Sequence, residues 1–140
     1  MARPILFLAS LGFAMSVGLV FALQETINEE EYEAVMKEIR FIVSDSQGHI
    51  DARYWPELEM EVGRLRSFFE QVHRYWSARG VEAAVDLSQQ ALQAVGGIST
   101  AADEEDQGAA RNAIRTLQGV CQSCHAEFRE ETSDGYRIKH

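Results

Sequence analysis

From Asn28 onward, apolar residues recur at intervals of three and four rather than two, so the chain reads as helical along nearly its whole length. Asn28 and Glu31 have capping-box spacing, with a side-chain oxygen available to the first free backbone N–H groups. Beyond them, Tyr32, Val35, Met36, Ile39, Ile42 and Val43 fall on one stripe. Ser44-Asp45-Ser46-Gln47-Gly48 is turn chemistry and predicts the end of this first helix. Trp55-Pro56 marks the start of a second, because proline loses nothing in a first helical turn. Its seam is Leu58, Val62, Leu65, Phe69, Val72 and Trp76, and Gly80 stops it. A third helix carries Val81, Val85, Ser88, Leu92 and Val95 and is expected to break at Gly96-Gly97. The acidic stretch 99–107 then reads as a connection to a last helix. On that helix Ala110, Ala113, Ile114, Leu117, Val120, Cys121, Cys124 and Phe128 share a face. The tail after Thr132 (Ser133-Asp134-Gly135) reads as frayed, and no hairpin signal, repeat or low-complexity block competes. The expected fold is all-α: an antiparallel bundle of four helices.

The N-terminal segment follows a different pattern. Met1-Ala2-Arg3-Pro4 carries one positive charge, residues 5–23 carry none, and the first acid is Glu25. A basic start, an apolar run and a small residue at a cut point describe a secretory signal. Val20-Phe21-Ala22 places cleavage after Ala22, leaving residues 1–22 as signal peptide and 23–140 as the folded domain. A retained membrane anchor is the alternative, since a spanning helix needs about 20 apolar residues. Ser10, Gly12, Ser16 and Gly18 dilute the run, and no basic or aromatic belt follows it. Either way the folded part is exported.

Charge narrows the partners. The 140 residues hold 13 Lys and Arg against 22 Asp and Glu, for a net charge of -9. Losing Arg3 with the signal takes -9 to -10. So acidic a domain would be repelled by nucleic acid and by anionic lipid, but steered towards a basic patch on a protein. Much of the same charge serves only to keep the surface solvated.

The chemistry is concentrated in Cys121-Gln122-Ser123-Cys124-His125, which contains the chain's only two cysteines. Each thiol can add across one haem vinyl group, and the adjacent imidazole can then ligate the iron. On a helix the three residues stand at i, i+3 and i+4, so they face the same way, as one porphyrin edge and its iron require. Three rivals use the same letters. A disulfide between residues three apart on a helix would be unusual. A thiol-exchange pair belongs at a helix start after a strand. A zinc site needs four ligands and would have to recruit two of His49, His73, His125 or His140 from scattered positions.

The placement of this motif near the C-terminus of an exported helical bundle resembles the class II c-type cytochromes, the family of cytochrome c prime and its low-spin relatives. Cys124-His125-Ala126-Glu127-Phe128-Arg129 follows the family's Cys-His-x-x-aromatic-Arg pattern, and the likeness spans roughly residues 25–131. It implies one covalent haem c on Cys121 and Cys124, with His125 as the proximal iron ligand. It also implies that Phe128 and Arg129 lie at the haem, Arg129 on the proximal side. The family covers the other face with the first helix, where low-spin members place a methionine in a stretch like Arg-x-x-x-Met-Lys. Here Tyr32-Glu33-Ala34-Val35-Met36-Lys37 is similar, with Tyr32 where the arginine is usual. Met36 is thereby implied as the distal iron ligand. Without the signal, Met60 is the only other thioether donor, and His49 and His73 are the remaining candidates. Tyr32, Ile39, Leu65, Phe69 and Val72 are expected to wall the porphyrin.

The expectation is therefore a periplasmic, non-enzymatic electron carrier with His125/Met36 ligation and redox proteins as partners. A membrane enters only if the first segment is retained, and a homodimer through the first two helices is the family's own precedent. Two alternatives stand beside it. One is a five-coordinate haem protein that binds nitric oxide or carbon monoxide, with Met36 merely packed over the iron. The other is a haem-free bundle whose two thiols serve exchange or metal binding.

Overall fold

The computed structural model describes residues 26–133 and 135–139. The signal segment expected at residues 1–22 lies outside them. Four helices follow in order: α1 (Glu29–Ala52), α2 (Trp55–Arg79), α3 (Glu82–Asp103) and α4 (Gln107–Phe128). A two-stranded antiparallel ribbon, β1 (Arg129–Thr132) and β2 (Gly135–Ile138), closes the chain. The helix connections are two or three residues long, so each helix must run back along its predecessor. Each helix packs on its two neighbours in the ring, α1 against α2 and α4, and α3 against α2 and α4.

The local signals explain most boundaries. At the start of α1 both capping-box bonds form: Glu31 N–H donates to Asn28 Oδ1 (2.9 Å) and Asn28 N–H to Glu31 Oε2 (2.8 Å). Glu29, Glu30 and Glu31 occupy the first turn, where the helix dipole favours negative charge. Pro56 stands in the first turn of α2, and Gly80 ends that helix with φ 66°, a left-handed conformation in which a Cβ would be strained. Asp106 caps α4 by accepting from Ala109 N–H.

Two boundaries differ from expectation. α1 does not stop at residues 44–48 but continues to Ala52. Ile42, Ser46 and Ile50 keep the four-residue period on the core face and are all buried, and Ser46 Oγ donates to Glu61 Oε2 of α2 (2.9 Å). Tertiary burial outweighs the local turn preference of Ser, Asp and Gly. Likewise α3 runs through Gly96-Gly97 to Asp103. Val95, Ile98, Ala101 and Ala102 are buried on either side, and a Cβ on Gly97 would stand 3.4 Å from Ala113 Cβ of α4. The inward stripe of α3 also differs. It is built largely of Ala84, Ala91, Ala94, Ala101 and Ala102, whereas Val81, Val85 and Leu92 are half-buried.

The tail corrects the picture once more. It is not frayed but forms the β1–β2 ribbon, in register Arg129↔Ile138 to Thr132↔Gly135. Gly135, at φ 142°, takes a backbone conformation closed to other residues. Lys139 N–H donates to Phe128 O (2.9 Å) and Lys139 Nζ to Ala126 O (3.0 Å), tying the ribbon to the last carbonyls of α4.

Of the four aromatics around the ends of α2, Trp55, Tyr75 and Trp76 are core and Tyr54 is exposed. No helix among the described residues is long and apolar enough to cross a membrane.

Candidate functional site

α1 and α4 are held together at one end of the bundle. Gln107 Nε2 donates to Ile50 O (2.8 Å), and Arg111 donates from Nε and Nη2 to Asp51 Oδ1 (2.9 and 2.7 Å). α1 and α4 touch less than any other neighbouring helix pair, and among the four helices opens a cavity of about 430 Å³. Met36, Ile39 and Val43 line it from α1, Phe69 and Val72 from α2, and Leu87, Ser88 and Ala91 from α3. α4 contributes Val120, Cys121, Cys124 and His125. The amphipathic pattern of α4 accounts for this: the face that buries Ala110, Ile114 and Leu117 in the core arrives, two turns later, at the cavity carrying sulfur and imidazole.

The cavity wall is mostly apolar; Arg40 of α1 is the one arginine on its lining, a residue the sequence pattern did not single out, and Ser44, Gln47 and Gln122 add polar groups. Both cysteines are free thiols. Burial pushes Cys121 up to about 11, helped by the neighbouring Cys124, while its own backbone contact opposes. Burial pushes Cys124 up to about 11 as well, with Glu127 adding to it. His125 is held below the ordinary imidazole range, first by burial and then by the Arg129 guanidinium. The imidazole therefore rests neutral with a nitrogen lone pair available, the form that binds a metal.

Met36 reaches the same cavity from α1, while the other candidates for a second ligand do not line it. Met60 is 67% exposed on α2. His49 Nδ1 stands 3.0 Å from Glu61 Oε2, at ion-pair distance but out of hydrogen-bond alignment. His73 Nδ1 contacts Ser88 Oγ at 2.9 Å; Ser88 gives its own proton to Val85 O (2.7 Å), so His73 is the donor.

Tyr32, Phe128 and Leu65 do not themselves line this cavity, although Tyr32 lies close enough to Cys124 and Cys121 for both to act on its hydroxyl. Tyr32 and Phe128 are drawn instead into an aromatic cluster on α2. Trp76 Nε1 donates to Tyr32 Oη (3.0 Å), Tyr32 lies 4.3 Å from Tyr75 between ring centroids, and Phe128 lies 5.2 Å from Trp76. Leu65 is fully buried in the core. Arg129 lies on the other side of His125, in a second cavity of about 410 Å³ that it lines with Gln122, His125, Ala126, Glu131 and Tyr136. His125 thus borders both spaces. Ser88 and Gln118 were missed on the main lining, since a serine or glutamine at helical spacing carries no sequence signal of its own.

No protein-family model and no curated protein matches this chain. Among solved structures it is similar to a cytochrome c′ with an unusual ligand-controlled dimer dissociation, at a TM-score of 0.61. The match covers 82% of this chain and 100% of that one, at 12% sequence identity. In fold, the chain is similar to a cytochrome c′. So low an identity speaks for the architecture alone: the antiparallel four-helix bundle expected from the sequence is the observed one.

Proposed function

We propose that the chain carries one haem c in the cavity among the four helices and works in the periplasm as an electron-transfer protein rather than an enzyme. The observation that carries this reading is the meeting of Cys121, Cys124 and His125 of α4 with Met36 of α1 on the lining of one apolar cavity. Its volume, about 430 Å³, lies in the range of cofactor pockets. Its donor set fits the group: two free thiols for thioether attachment, a neutral imidazole for one axial position and a soft thioether for the other. Ile39, Val43, Phe69 and Val72 offer the apolar contacts a porphyrin plane needs and keep water from it. When bound, haem iron supplies a one-electron couple and, where an axial position is open, a site for a diatomic gas. Met36 closes that position in this reading. A neutral thioether suits both iron oxidation states, so little rearranges when an electron comes or goes.

The thiols themselves argue against an exchange function. A thiol-exchange site lowers a cysteine's pKa to expose thiolate, whereas burial here raises both.

A second reading, gas binding at a five-coordinate iron with Met36 only packed above it, is favoured by the similar cytochrome c′, whose dimer dissociation is ligand-controlled. Partners are then redox proteins in the first case and, in either case, a second copy of this chain. Phe41 (55% exposed) and Met60 (67% exposed) are apolar residues left on the outer faces of α1 and α2.

Absorption spectra of the oxidised and reduced protein, made with haem-maturation machinery present, decide among these readings. Low-spin bands indifferent to carbon monoxide are expected. High-spin bands that shift with carbon monoxide would transfer the function to gas binding, and a colourless protein would end both haem readings. Mass spectrometry of the exported chain is expected to find Leu23 at its N-terminus.

A further inference from the structure

The ribbon after α4 is absent from the expectations above, and one of its faces is turned towards His125. Glu131 pairs with Tyr136 across the ribbon, and Arg129 stands two residues before Glu131, so the three side chains share one face. That face and the Gln122–His125–Ala126 turn of α4 together enclose the cavity of about 410 Å³. Within it the Arg129 guanidinium carbon sits 4.0 Å from the Tyr136 ring centroid, close enough for a cation–π contact. Tyr136 Oη in turn reaches Glu131 Oε1 (3.5 Å). The ribbon cannot swing away freely, because Lys139 bonds both Phe128 O and Ala126 O at the end of α4.

We propose that the β1–β2 ribbon is a clamp in which Tyr136, as positioning residue, holds the Arg129 charge against the outer side of His125. This rests on the reading of His125 as an iron ligand. An unclamped arginine at a helix end would extend into water, where its charge is screened. Held against the Tyr136 ring, the exposed guanidinium instead keeps a fixed place on the open pocket that it lines together with His125. A fixed positive charge beside the axial ligand disfavours the additional positive charge of the oxidised iron, so the clamp raises the reduction potential.

The test uses the full chain in two states. In the haem-loaded protein, midpoint potentials are compared for wild type, Tyr136→Phe, Tyr136→Leu, Arg129→Leu and the double variant Y136L/R129L. The phenylalanine variant keeps the ring and is expected to keep the wild-type potential. Tyr136→Leu and Arg129→Leu are expected to lower it, and the double variant to lower it no further than Arg129→Leu alone, since both act through one charge. In the haem-free chain, the Arg129 Nε–H NMR resonance is expected to lose its ring-current shift in Tyr136→Leu and to retain it in Tyr136→Phe. An Arg129 resonance indifferent to Tyr136→Leu would sink the clamp, whether or not haem binds. So would a Tyr136→Leu potential equal to wild type while Arg129→Leu is lowered. A chain that takes up no haem overturns the proposed function instead, and the Arg129 resonance still decides the clamp.

Discussion

Trp76 Nε1 of α2 donates a hydrogen bond of 3.0 Å to the hydroxyl of Tyr32 in the second turn of α1, and both side chains are buried. The bond fixes α1 against α2 and places Met36, one turn further along α1, at the cavity lining. Burial raises the Tyr32 hydroxyl well above its usual range, and the Trp76 bond only partly offsets this. Tyr32 thus ties α1 to α2 within reach of the two cysteines of α4.

Tyr32→Phe leaves the Trp76 N–H buried without a partner, and an unsatisfied buried donor costs about 1–3 kcal/mol. Urea unfolding of the variant is expected to show a loss in that range, with the haem spectrum unchanged. A variant as stable as wild type would mean the indole finds another acceptor.

Met36→Ala removes the thioether from the cavity without touching Cys121, Cys124 or His125. In the electron-carrier reading it converts low-spin iron to high-spin and opens it to carbon monoxide. Unchanged spectra would remove Met36 from the iron. The truncation also costs stability, below the roughly 2–5 kcal/mol of a fully buried methionine because Met36 is only half-buried.

The raised thiols give the haem-free chain an alkaline limit. Each is ordinarily near 9 and stands at about 11 in the fold. A proton held more tightly when folded stabilises the fold fully below the unfolded value and progressively less above it. Stability of the haem-free chain should therefore fall between pH 9 and 11, with Tyr32 extending the loss to higher pH. Chemical denaturation midpoints followed across that window check it. The double variant C121S/C124S should flatten the portion that belongs to the thiols, and an unaltered slope in that variant would assign the effect elsewhere. Iodoacetamide labelling near neutral pH should be slow for the same reason.

Two glycines test local helix preference. Gly48 lies inside α1 with nothing within 4 Å of the place a Cβ would take, so Gly48→Ala is expected to stabilise by about 1 kcal/mol. Gly97 is exposed, and a Cβ there would stand at ordinary contact distance from Ala113 Cβ (3.4 Å), so Gly97→Ala is expected to stabilise by a similar amount. Thermal unfolding midpoints of both variants should rise. A destabilised Gly48→Ala would argue that α1 does turn at residues 44–48.

Fold class, helix number and the common face of Cys121, Cys124 and His125 were all legible in the sequence, because each rests on local periodicity. Cys121, Cys124 and His125 share a face wherever a helix carries them. The capping box at Asn28, the start at Pro56 and the stop at Gly80 are equally local. Only the tertiary structure decided where α1 and α3 end. Burial of Ser46, Ile50, Ile98 and Ala101 is a long-range gain that five turn-forming residues or a glycine pair cannot reveal. Tertiary packing likewise drew Tyr32 and Phe128 onto Trp76, since an aromatic stripe fits a core and a cofactor wall equally well. The ribbon over His125 was not readable, since Arg129-Glu130-Glu131-Thr132 is polar throughout and carries no strand alternation. What no local pattern contains is the meeting of Met36 with the triad. That depends on how α1 and α4, far apart in the chain, are held together at Ile50 and Gln107 and on the cavity that opens among the four helices.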